Sequence, residues 1–302
     1  MKLLMTGAFN CTSQQKVNIE KLGCEIMFQQ RENEPLSEEM FTADAIICNG
    51  LFLHNDIDKF PNLKFIQLTS AGLDRVPVER INEKGIVLKN ARGVYSIPMA
   101  EWALSGVLAL YKNMETFTEN QKNHSWTKNR NIRELSGDSV LIVGCGSIGT
   151  ECAKRFKAFG MNVLGADIVN SDNDVYDEIY SMENINSALN KADVVVLTFP
   201  LTDETKHFFN KDRFAHFKDG AILVNIARGA VVKEEDLVNS LKNGKLSGAV
   251  LDVFEAEPLS ENSELWEMKN VIITPHNSFV SPKNQDRLFD VAYNNIKEYM
   301  KG

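Results

Sequence analysis

An arginine, two glutamates and a histidine in the second half of the chain carry the strongest chemical signal. Arg228 lies in the segment Asn225-Ile226-Ala227-Arg228-Gly229, and His276 ends Thr274-Pro275-His276. Glu255 and Glu257 both lie just before Pro258. A planar guanidinium matches a carboxylate through two hydrogen bonds, and imidazole is the natural proton donor near neutral pH. These side chains together can bind a carboxylic acid and move a proton.

Each of these signatures follows or ends an apolar run that is typical of a buried strand. Ligands bind at the carboxyl ends of parallel strands, which favours a functional role for Arg228 over a plain surface charge. A carboxylate on the second ring nitrogen of His276 would fix which nitrogen carries the proton. Glu255 and Glu257 are both candidates for that carboxylate, and their spacing does not choose between them.

A glycine-rich turn upstream predicts a dinucleotide site. The apolar residues 140–143 lead directly into Gly144-Cys145-Gly146-Ser147-Ile148-Gly149, and residues 150–159 continue as a helix. Gly144 permits the tight turn, Gly146 lets the backbone approach a pyrophosphate, and Gly149 lets the helix pack closely on the sheet. Ser147 and Ile148 begin the helix, whose free N–H groups and positive dipole end attract phosphate. With a dinucleotide beside them, the side chains above indicate hydride transfer to a 2-keto acid.

Asp167 predicts NAD as the dinucleotide and makes NADP less favourable. It follows Gly149 by 18 residues and ends the next apolar run. A carboxylate at that place accepts hydrogen bonds from the adenosine ribose hydroxyls. It also repels a 2′-phosphate, and no arginine follows within the next few residues. The alternative is a solvated aspartate at a strand end.

Composition limits the class of protein. The chain has 302 residues, enough for two domains, and is 43% hydrophobic and 25% charged. Its net charge of -8 argues against a nucleic-acid partner and against an anionic membrane surface. The five cysteines are scattered without a CxxC pair, so we expect neither a disulfide framework nor a metal site. Without a signal-peptide pattern or a membrane-spanning run, a cytoplasmic location is the default expectation.

Short β-branched runs alternate with helical stretches, which predicts an α/β fold with parallel sheets. The first ninety residues contain five candidate strands, and residues 139–274 contain six, the number in a complete dinucleotide-binding domain. A long amphipathic helix is predicted from Pro98, with apolar residues at helical spacing as far as Phe117. The polar residues 120–133, with Trp126 as their one aromatic, form either a solvated loop or an oligomer contact.

These segments together resemble the D-isomer-specific 2-hydroxyacid dehydrogenase family. The resemblance covers most of the chain and is strongest from residue 135 to His276. The further blocks that carry it are Ser70-Ala71-Gly72-Leu73-Asp74, Met99-Ala100-Glu101-Trp102, Leu135-Ser136-Gly137, Phe199-Pro200-Leu201-Thr202-Asp203-Glu204-Thr205, Gly229-Ala230-Val231-Val232 and Gly248-Ala249-Val250-Leu251-Asp252-Val253. So many ordered blocks are specific to the family, although not to one substrate.

The resemblance implies two domains, each a parallel sheet with helices on both faces. A Rossmann dinucleotide-binding domain, residues 96–281, is inserted into a discontinuous flavodoxin-like substrate domain, residues 1–95 and 282–302. The implied activity is reversible hydride transfer between NADH and a small 2-keto acid, with His276 as the acid and base. A homodimer is also implied, with Trp126 in the region that the family uses for dimer contacts.

The resemblance implies roles for individual residues as well. The family's catalytic glutamate directly precedes the proline, which selects Glu257. Asp252 is then a contact of the nicotinamide carboxamide. The backbone amides of Ser70, Ala71 and Gly72 hold the substrate carboxylate together with Arg228. The other implied cofactor contacts are Phe199, Pro200, Thr205, Ile226 and Ala227.

Two segments leave the substrate open. The family has a small, glycine-rich stretch after the histidine, whereas this chain has Asn277-Ser278-Phe279. Leu51-Phe52-Leu53 forms either an apolar pocket wall or a buried loop anchor. A non-catalytic, NAD-sensing binding protein of the corepressor type is the alternative from a different functional class, because such relatives can retain all three catalytic residues.

Overall fold

The computed structural model of the chain describes residues 1–168 and 173–301, which form two compact units. The first unit joins Met1–Tyr95 to the segment that begins at Ser281, and the second unit is Ser96–Val280. Each unit is built around its own parallel sheet. No helix within the described residues is long and apolar enough to cross a membrane.

The first unit has a flavodoxin-like sheet. Its elements up to residue 95 are β1 (Lys2–Thr6), α1 (Ser13–Glu20), β2 (Glu25–Gln29), β3 (Ala45–Cys48), β4 (Phe65–Leu68), α2 (Val78–Glu83) and β5 (Val87–Lys89). In the described part of the chain these five strands pair in parallel in the order β2-β1-β3-β4-β5, which is the flavodoxin-like order. The topological switch point therefore lies between β1 and β3.

The second unit has a Rossmann-type sheet. Its elements are α3 (Ser96–Tyr111), α4 (Met114–Lys122), β6 (Ser139–Val143), α5 (Ser147–Ala158), β7 (Asn162–Asp167), β8 (Glu178–Ser181), α6 (Ile185–Leu189), β9 (Val194–Leu197), α7 (Lys211–Ala215), β10 (Ala221–Asn225), α8 (Glu234–Lys242), β11 (Leu246–Leu251) and β12 (Val271–Ile273). With residues 169–172 left aside, the seven strands run parallel in the order β12-β11-β10-β9-β6-β7-β8. The order reverses between β6 and β9, which is where a dinucleotide binds in such sheets.

Strand periodicity builds the core of the second unit. Alternate residues of β6 face opposite sides of the sheet, so Val140 and Ile142 pack in one buried cluster while Leu141 and Val143 pack in another. The four apolar residues of β9 are all completely buried, as expected for a central strand that is covered on both faces. The apolar runs of the sequence are therefore buried strands, and their carboxyl ends are free to carry polar groups.

The chain returns to the first unit with α9 (Asn284–Tyr299). Leu288, Phe289, Ala292 and Ile296 form the buried stripe of this helix. They belong to the same apolar cluster as Leu3 and other residues on one face of the first sheet. This helical spacing of apolar residues explains why the last helix covers that face.

The predicted α/β class with parallel sheets is confirmed, but three details differ. The helix predicted to run from Pro98 past Phe117 ends at Tyr111 and is followed by α4. Asn113 breaks it with a left-handed backbone, φ 50°, and no residue of α4 is buried. Strand β8 was not predicted, because only two of its four residues are even partly buried. Residues 120–122, part of the polar stretch predicted as either a solvated loop or an oligomer contact, belong to the helix α4.

Candidate active site

The glycine-rich turn joins β6 to α5 at the switch point. Gly144 has φ 95°, and a Cβ there would lie 2.9 Å from the backbone nitrogen of Phe199. A Cβ on Gly149 would lie 2.0 Å from the carbonyl oxygen of Gly144. A Cβ on Gly146 would meet nothing within 4 Å. Two glycines are thus required by close packing within the protein, while Gly146 faces open space that a ligand can use.

Asp167 closes the far side of this turn. One carboxylate oxygen accepts a hydrogen bond from the backbone N–H of Cys145 at 2.6 Å, and the other accepts from the N–H of Ile168 at 2.7 Å. The carboxylate that was predicted to contact the ribose therefore lies directly beside the glycine-rich turn. Burial, with a smaller contribution from the nearby Asp167 charge, raises the pKa of the Cys145 thiol to about 11.

The loop after β9 carries Phe199, Pro200 and Thr205. The Thr205 hydroxyl donates to the Pro200 carbonyl at 2.8 Å and accepts from the Thr202 N–H at 2.7 Å, which closes the loop on itself. Phe199 is only 7% exposed and packs edge-on against Phe208. These contacts hold the loop rigidly at the same sheet edge as the glycine-rich turn.

Arg228 follows β10 in a turn that Asn225 organises. The Asn225 side chain accepts from the Ala227 N–H at 3.1 Å and donates to the Arg228 carbonyl at 3.1 Å. Ile226 and Ala227 are buried in this turn. A Cβ on Gly229 would lie 1.8 Å from the carbonyl carbon of Phe254, so glycine is required where the loops after β10 and β11 touch. The Asn-x-x-Arg-Gly signature is therefore the local structure that presents the half-buried Arg228 side chain.

The structure pairs His276 with Glu257. The Nδ1 atom of His276 lies 2.9 Å from a carboxylate oxygen of Glu257, whose other oxygen accepts from the Phe254 N–H at 3.2 Å. Glu255 points elsewhere and contacts His207. Spacing left both Glu255 and Glu257 as candidates. The contact between Glu257 and His276, which lie 19 residues apart in the sequence, distinguishes them.

Asp252 fixes the backbone that carries His276. Its buried carboxylate, in a residue only 1% exposed, accepts from the Thr274 hydroxyl at 2.5 Å and from the N–H groups of Asn277 and Ser278 at 2.7 and 2.9 Å. Its carbonyl accepts from the His276 N–H at 2.8 Å. His276 has φ 51°, a left-handed conformation that costs a residue with a Cβ about 1–2 kcal/mol. The Asp252 hydrogen bonds offset that cost.

Adjacent strands thus bring the predicted groups of the second unit to one edge. Arg228, Glu257 and His276 follow β10, β11 and β12, which are neighbours in the sheet. Because all strands are parallel, their carboxyl ends lie side by side. At this edge the Arg228 guanidinium can bind the carboxylate of a ligand, and the Glu257 carboxylate orients the His276 imidazole.

Comparisons with known proteins assign this geometry to a family. The family model described as "D-isomer specific 2-hydroxyacid dehydrogenase, NAD binding domain" matches residues 104–278. A glyoxylate reductase from Thermofilum pendens is 33% identical over 293 residues, which cover 92% of this chain and 86% of that protein. The chain belongs to the D-isomer specific 2-hydroxyacid dehydrogenase family.

Two further relatives extend the comparison. A D-3-phosphoglycerate dehydrogenase from Methanocaldococcus jannaschii is 35% identical over 273 residues, which cover 89% of this chain and 52% of that protein. The chain thus spans about half the length of this relative. The crystal structure of a D-lactate dehydrogenase from Aquifex aeolicus, complexed with NAD and lactic acid, matches with TM-score 0.80 and 28% identity over 99% of this chain and 96% of that chain. The predicted family is confirmed.

Ser70, Ala71 and Gly72, which the family resemblance predicts to bind the substrate carboxylate, lie in the first unit, after β4. The Ala71 carbonyl accepts from the Asn90 side chain at 2.7 Å, and the Ser70 carbonyl accepts from the Ala91 N–H at 2.9 Å. The Ser70 hydroxyl donates to the Gly72 carbonyl at 3.0 Å. The carbonyl groups of the loop are therefore occupied by internal contacts, and these contacts fix the direction of its backbone.

The segment Leu51–Leu53 in this dehydrogenase family member is mainly a loop anchor. Leu51 is completely buried, and Phe52 packs edge-on against Phe60 with 5.9 Å between ring centroids. Leu53 is 60% exposed. Of the two interpretations that the sequence left open, the buried contacts favour an anchor for Leu51 and Phe52, and leave Leu53 as the accessible side chain.

Phe279 and His207 are contacts of the site that the sequence did not assign. The Phe279 ring lies edge-on to the His276 ring, with 6.1 Å between centroids and 84° between planes. The atypical segment after the histidine thus adds an aromatic neighbour to the His276 imidazole. His207 lies two residues after Thr205, which ends one of the blocks that carry the family resemblance. That position was the only signal in the sequence.

Proposed function

We propose that the chain catalyses reversible, NAD-dependent reduction of a small 2-keto acid to a 2-hydroxy acid. The observation that carries the proposal is the 2.9 Å contact between Glu257 and His276 Nδ1. This contact directs the Nε2 atom away from Glu257 and makes it available to a substrate. Relatives named as reductases and dehydrogenases of such acids support an enzyme over the non-catalytic alternative.

The residues at the switch point fit a nicotinamide dinucleotide. Gly146 borders open space, and α5 begins at Ser147 with the unsatisfied N–H groups of a helix N-terminus. Asp167 lies at the end of β7 beside the turn, where its charge disfavours a 2′-phosphate and so favours NAD over NADP. When bound, the nicotinamide supplies the hydride that reduces the keto carbon.

His276 supplies the proton. The protonated imidazole donates from Nε2 to the keto oxygen as that oxygen becomes an alkoxide, and it retains the Nδ1 proton that is shared with Glu257. In the oxidation direction the neutral imidazole takes the hydroxyl proton at the same atom. Proton transfer by a positioned side chain contributes roughly 10²–10⁴-fold to the rate.

Arg228 binds and polarises the substrate. Its guanidinium hydrogen-bonds one oxygen of the substrate carboxylate and the adjacent keto oxygen, so positive charge stabilises the alkoxide as it forms. Asp252, Ile226 and Ala227 form the nicotinamide side of the site, and Asp252 also holds the His276 backbone.

We also infer that the chain forms a homodimer through the region around Trp126. Trp126 is 98% exposed, and Met114 and Ile132 in the same region are 51% and 46% exposed. Trp126 lies in the region that the family resemblance assigns to dimer contacts, and its exposed indole supports an oligomer contact over a solvated loop. Sedimentation equilibrium of the wild type and of Trp126→Ala tests this. A wild-type monomer at micromolar concentration contradicts the inference.

NADH oxidation across glyoxylate, hydroxypyruvate, pyruvate and bulkier 2-keto acids tests the catalytic proposal. We expect turnover of at least one of these acids and a corresponding loss of absorbance from NADH. The binding of NADH is measured separately by fluorescence titration. Intact binding of NADH without turnover of any acid would overturn the proposed catalysis and favour a dinucleotide-sensing protein.

A further inference from the structure

Glu255 is a junction between loops that carry the proposed catalytic groups. One of its carboxylate oxygens lies 2.9 Å from His207 Nε2. The other accepts a hydrogen bond from the backbone N–H of Glu234 at 2.6 Å. Both oxygens therefore have partners more than twenty residues away in sequence, on two different segments.

The first partner belongs to the loop after β9. His207 has a left-handed backbone with φ 53°, and its N–H donates to the Ala230 carbonyl at 2.7 Å. Phe209, two residues later, is completely buried, and its N–H donates to the Val231 carbonyl at 3.0 Å. Two backbone hydrogen bonds therefore join this loop to the segment that immediately follows Arg228.

The second partner begins α8, six residues after Arg228. Glu234 is the first residue of that helix, and its N–H is one of those that a helix leaves without an internal partner. A carboxylate at this position also interacts favourably with the helix dipole. Burial, and then the neighbouring charge of Glu255, raises the pKa of the Glu234 carboxyl group. Glu255 therefore fixes the far end of the segment that starts at Arg228.

Glu255 itself lies two residues before Glu257. Its own backbone nitrogen would be 2.5 Å from a Cβ on Gly229, so the two loops touch directly at this point. The loops after β9, β10 and β11 meet at one carboxylate. A displacement of Glu255 would move the backbone that carries Arg228 and the backbone that carries Glu257.

We propose that Glu255 and His207 are positioning residues, which hold Arg228 and Glu257 in the geometry that the reaction needs. This inference rests on the proposed reduction of 2-keto acids. Neither residue needs to touch the substrate, because the pair acts through backbone contacts with Ala230 and Glu234. The adjacent carboxylates of Glu255 and Glu257 thus serve two different histidines for two different purposes.

The test compares Glu255→Ala, Glu255→Gln and His207→Asn with Glu261→Ala, a control at an exposed glutamate of the same loop region. Asparagine tolerates a left-handed backbone but is too short to replace the ring contact. A 1 Å misplacement of catalytic groups costs up to about 100-fold in rate. We therefore expect Glu255→Ala to lower kcat/KM for the 2-keto acid about 10- to 100-fold, through both a higher KM and a lower kcat.

The matched variants separate positioning from general stability. We expect His207→Asn to lower kcat/KM in the same direction as Glu255→Ala. Glu255→Gln keeps an oxygen for the Glu234 N–H and should recover most of the activity, and Glu261→Ala should match the wild type. Amide exchange at Glu234 and His207 should accelerate in Glu255→Ala, while the melting temperature and the NADH dissociation constant stay close to those of the wild type.

The inference and the proposed function fail in different ways. A wild type that reduces a 2-keto acid, together with a Glu255→Ala variant that keeps wild-type kcat/KM, overturns the inference alone. A loss of activity that Glu255→Gln does not recover, and that follows the fraction of unfolded protein, also overturns it. A wild type that reduces none of the acids overturns the proposed function, and the positioning role in that reaction falls with it.

Discussion

The second unit contains two histidine–glutamate pairs that look almost the same and differ in what they can do. His276 and His207 each lie 2.9 Å from a carboxylate oxygen, and their φ angles are 51° and 53°. The side chains of His276 and His207 are 37% and 35% exposed. A carboxylate contact, a strained backbone and partial exposure therefore do not by themselves identify a proton donor.

The ring nitrogen in contact distinguishes the two pairs. Glu257 contacts Nδ1 of His276, which leaves Nε2 at the tip of the side chain for a substrate. Glu255 contacts Nε2 of His207, which leaves only the nitrogen next to the backbone. The second oxygen of Glu257 binds within its own loop, whereas that of Glu255 binds the start of α8. We therefore assign proton transfer to the His276 pair and the positioning of loops to the His207 pair.

Replacing each histidine in turn gives the largest expected difference. We expect His276→Ala to lower kcat by roughly 10²–10⁴-fold, because it removes the proton donor. His207→Ala should cost less, since it changes only the position of other groups. Steady-state kinetics with NADH and the best 2-keto acid measure both effects. Equal losses in the two variants would erase the distinction between the pairs.

Arg228 sharpens the comparison, because it begins the segment that the Glu255–His207 pair is proposed to position. We expect Arg228→Gln to lower kcat/KM on the order of 10²–10³-fold, the loss that follows removal of a donor to a developing oxyanion. Arg228→Lys should not restore activity, since a point charge does not reproduce the two-pronged contact. Arg31→Gln, at an exposed arginine of the first unit, is the control. Full recovery by lysine would contradict a bidentate role.

Asp252 should reveal that the two histidines depend on different anchors. The Asp252 carboxylate accepts hydrogen bonds from three donors. In Asp252→Asn the amide NH₂ group would face one of these donors and could not accept its hydrogen bond. Breaking such hydrogen bonds to a buried charge costs about 1.5–3 kcal/mol of unfolding free energy. Urea denaturation measures this cost, with Asp203→Asn at an exposed loop position as the control. Surface substitutions change the unfolding free energy by about ±0.5 kcal/mol. A change no larger than that in Asp252→Asn would show that Asp252 does not anchor the loop.

Asp167 gives the smallest expected effect and probes the cofactor side, away from both histidines. We expect Asp167→Asn to narrow the preference for NADH over NADPH by about tenfold, which corresponds to about 1.4 kcal/mol. The reason is that the variant removes the charge that repels a 2′-phosphate. Fluorescence titration with each dinucleotide gives the two dissociation constants. An unchanged ratio would contradict the role assigned to this carboxylate.

The architecture was predictable from sequence because it depends on local patterns. Strand β9 is an uninterrupted apolar run, and the glycine-rich turn follows another apolar run and precedes a helix. The break at Asn113 was not predictable, since the apolar spacing continues past it to Phe117 although α4 buries none of its residues. Periodicity reports which side chains are apolar and not whether anything packs against them.

The site was predictable only in part. Arg228 and His276 stand at strand ends, and their chemistry suggests a role before any relative is known. The choice between Glu255 and Glu257 depends on contacts across 48 and 19 residues, which no local pattern records. The family resemblance selected Glu257 as the partner of His276. The positioning role proposed for Glu255 rests instead on its contacts with His207 and Glu234.

The most direct test of this account is the tautomer of each histidine in its neutral form. Long-range ¹H–¹⁵N correlation spectra distinguish a proton on Nδ1 from a proton on Nε2, and His276→Gln and His207→Gln assign the signals. We predict an Nδ1–H tautomer for His276, which donates to Glu257, and an Nε2–H tautomer for His207, which donates to Glu255. An Nε2–H tautomer for neutral His276 would contradict the claim that Glu257 orients it for proton transfer.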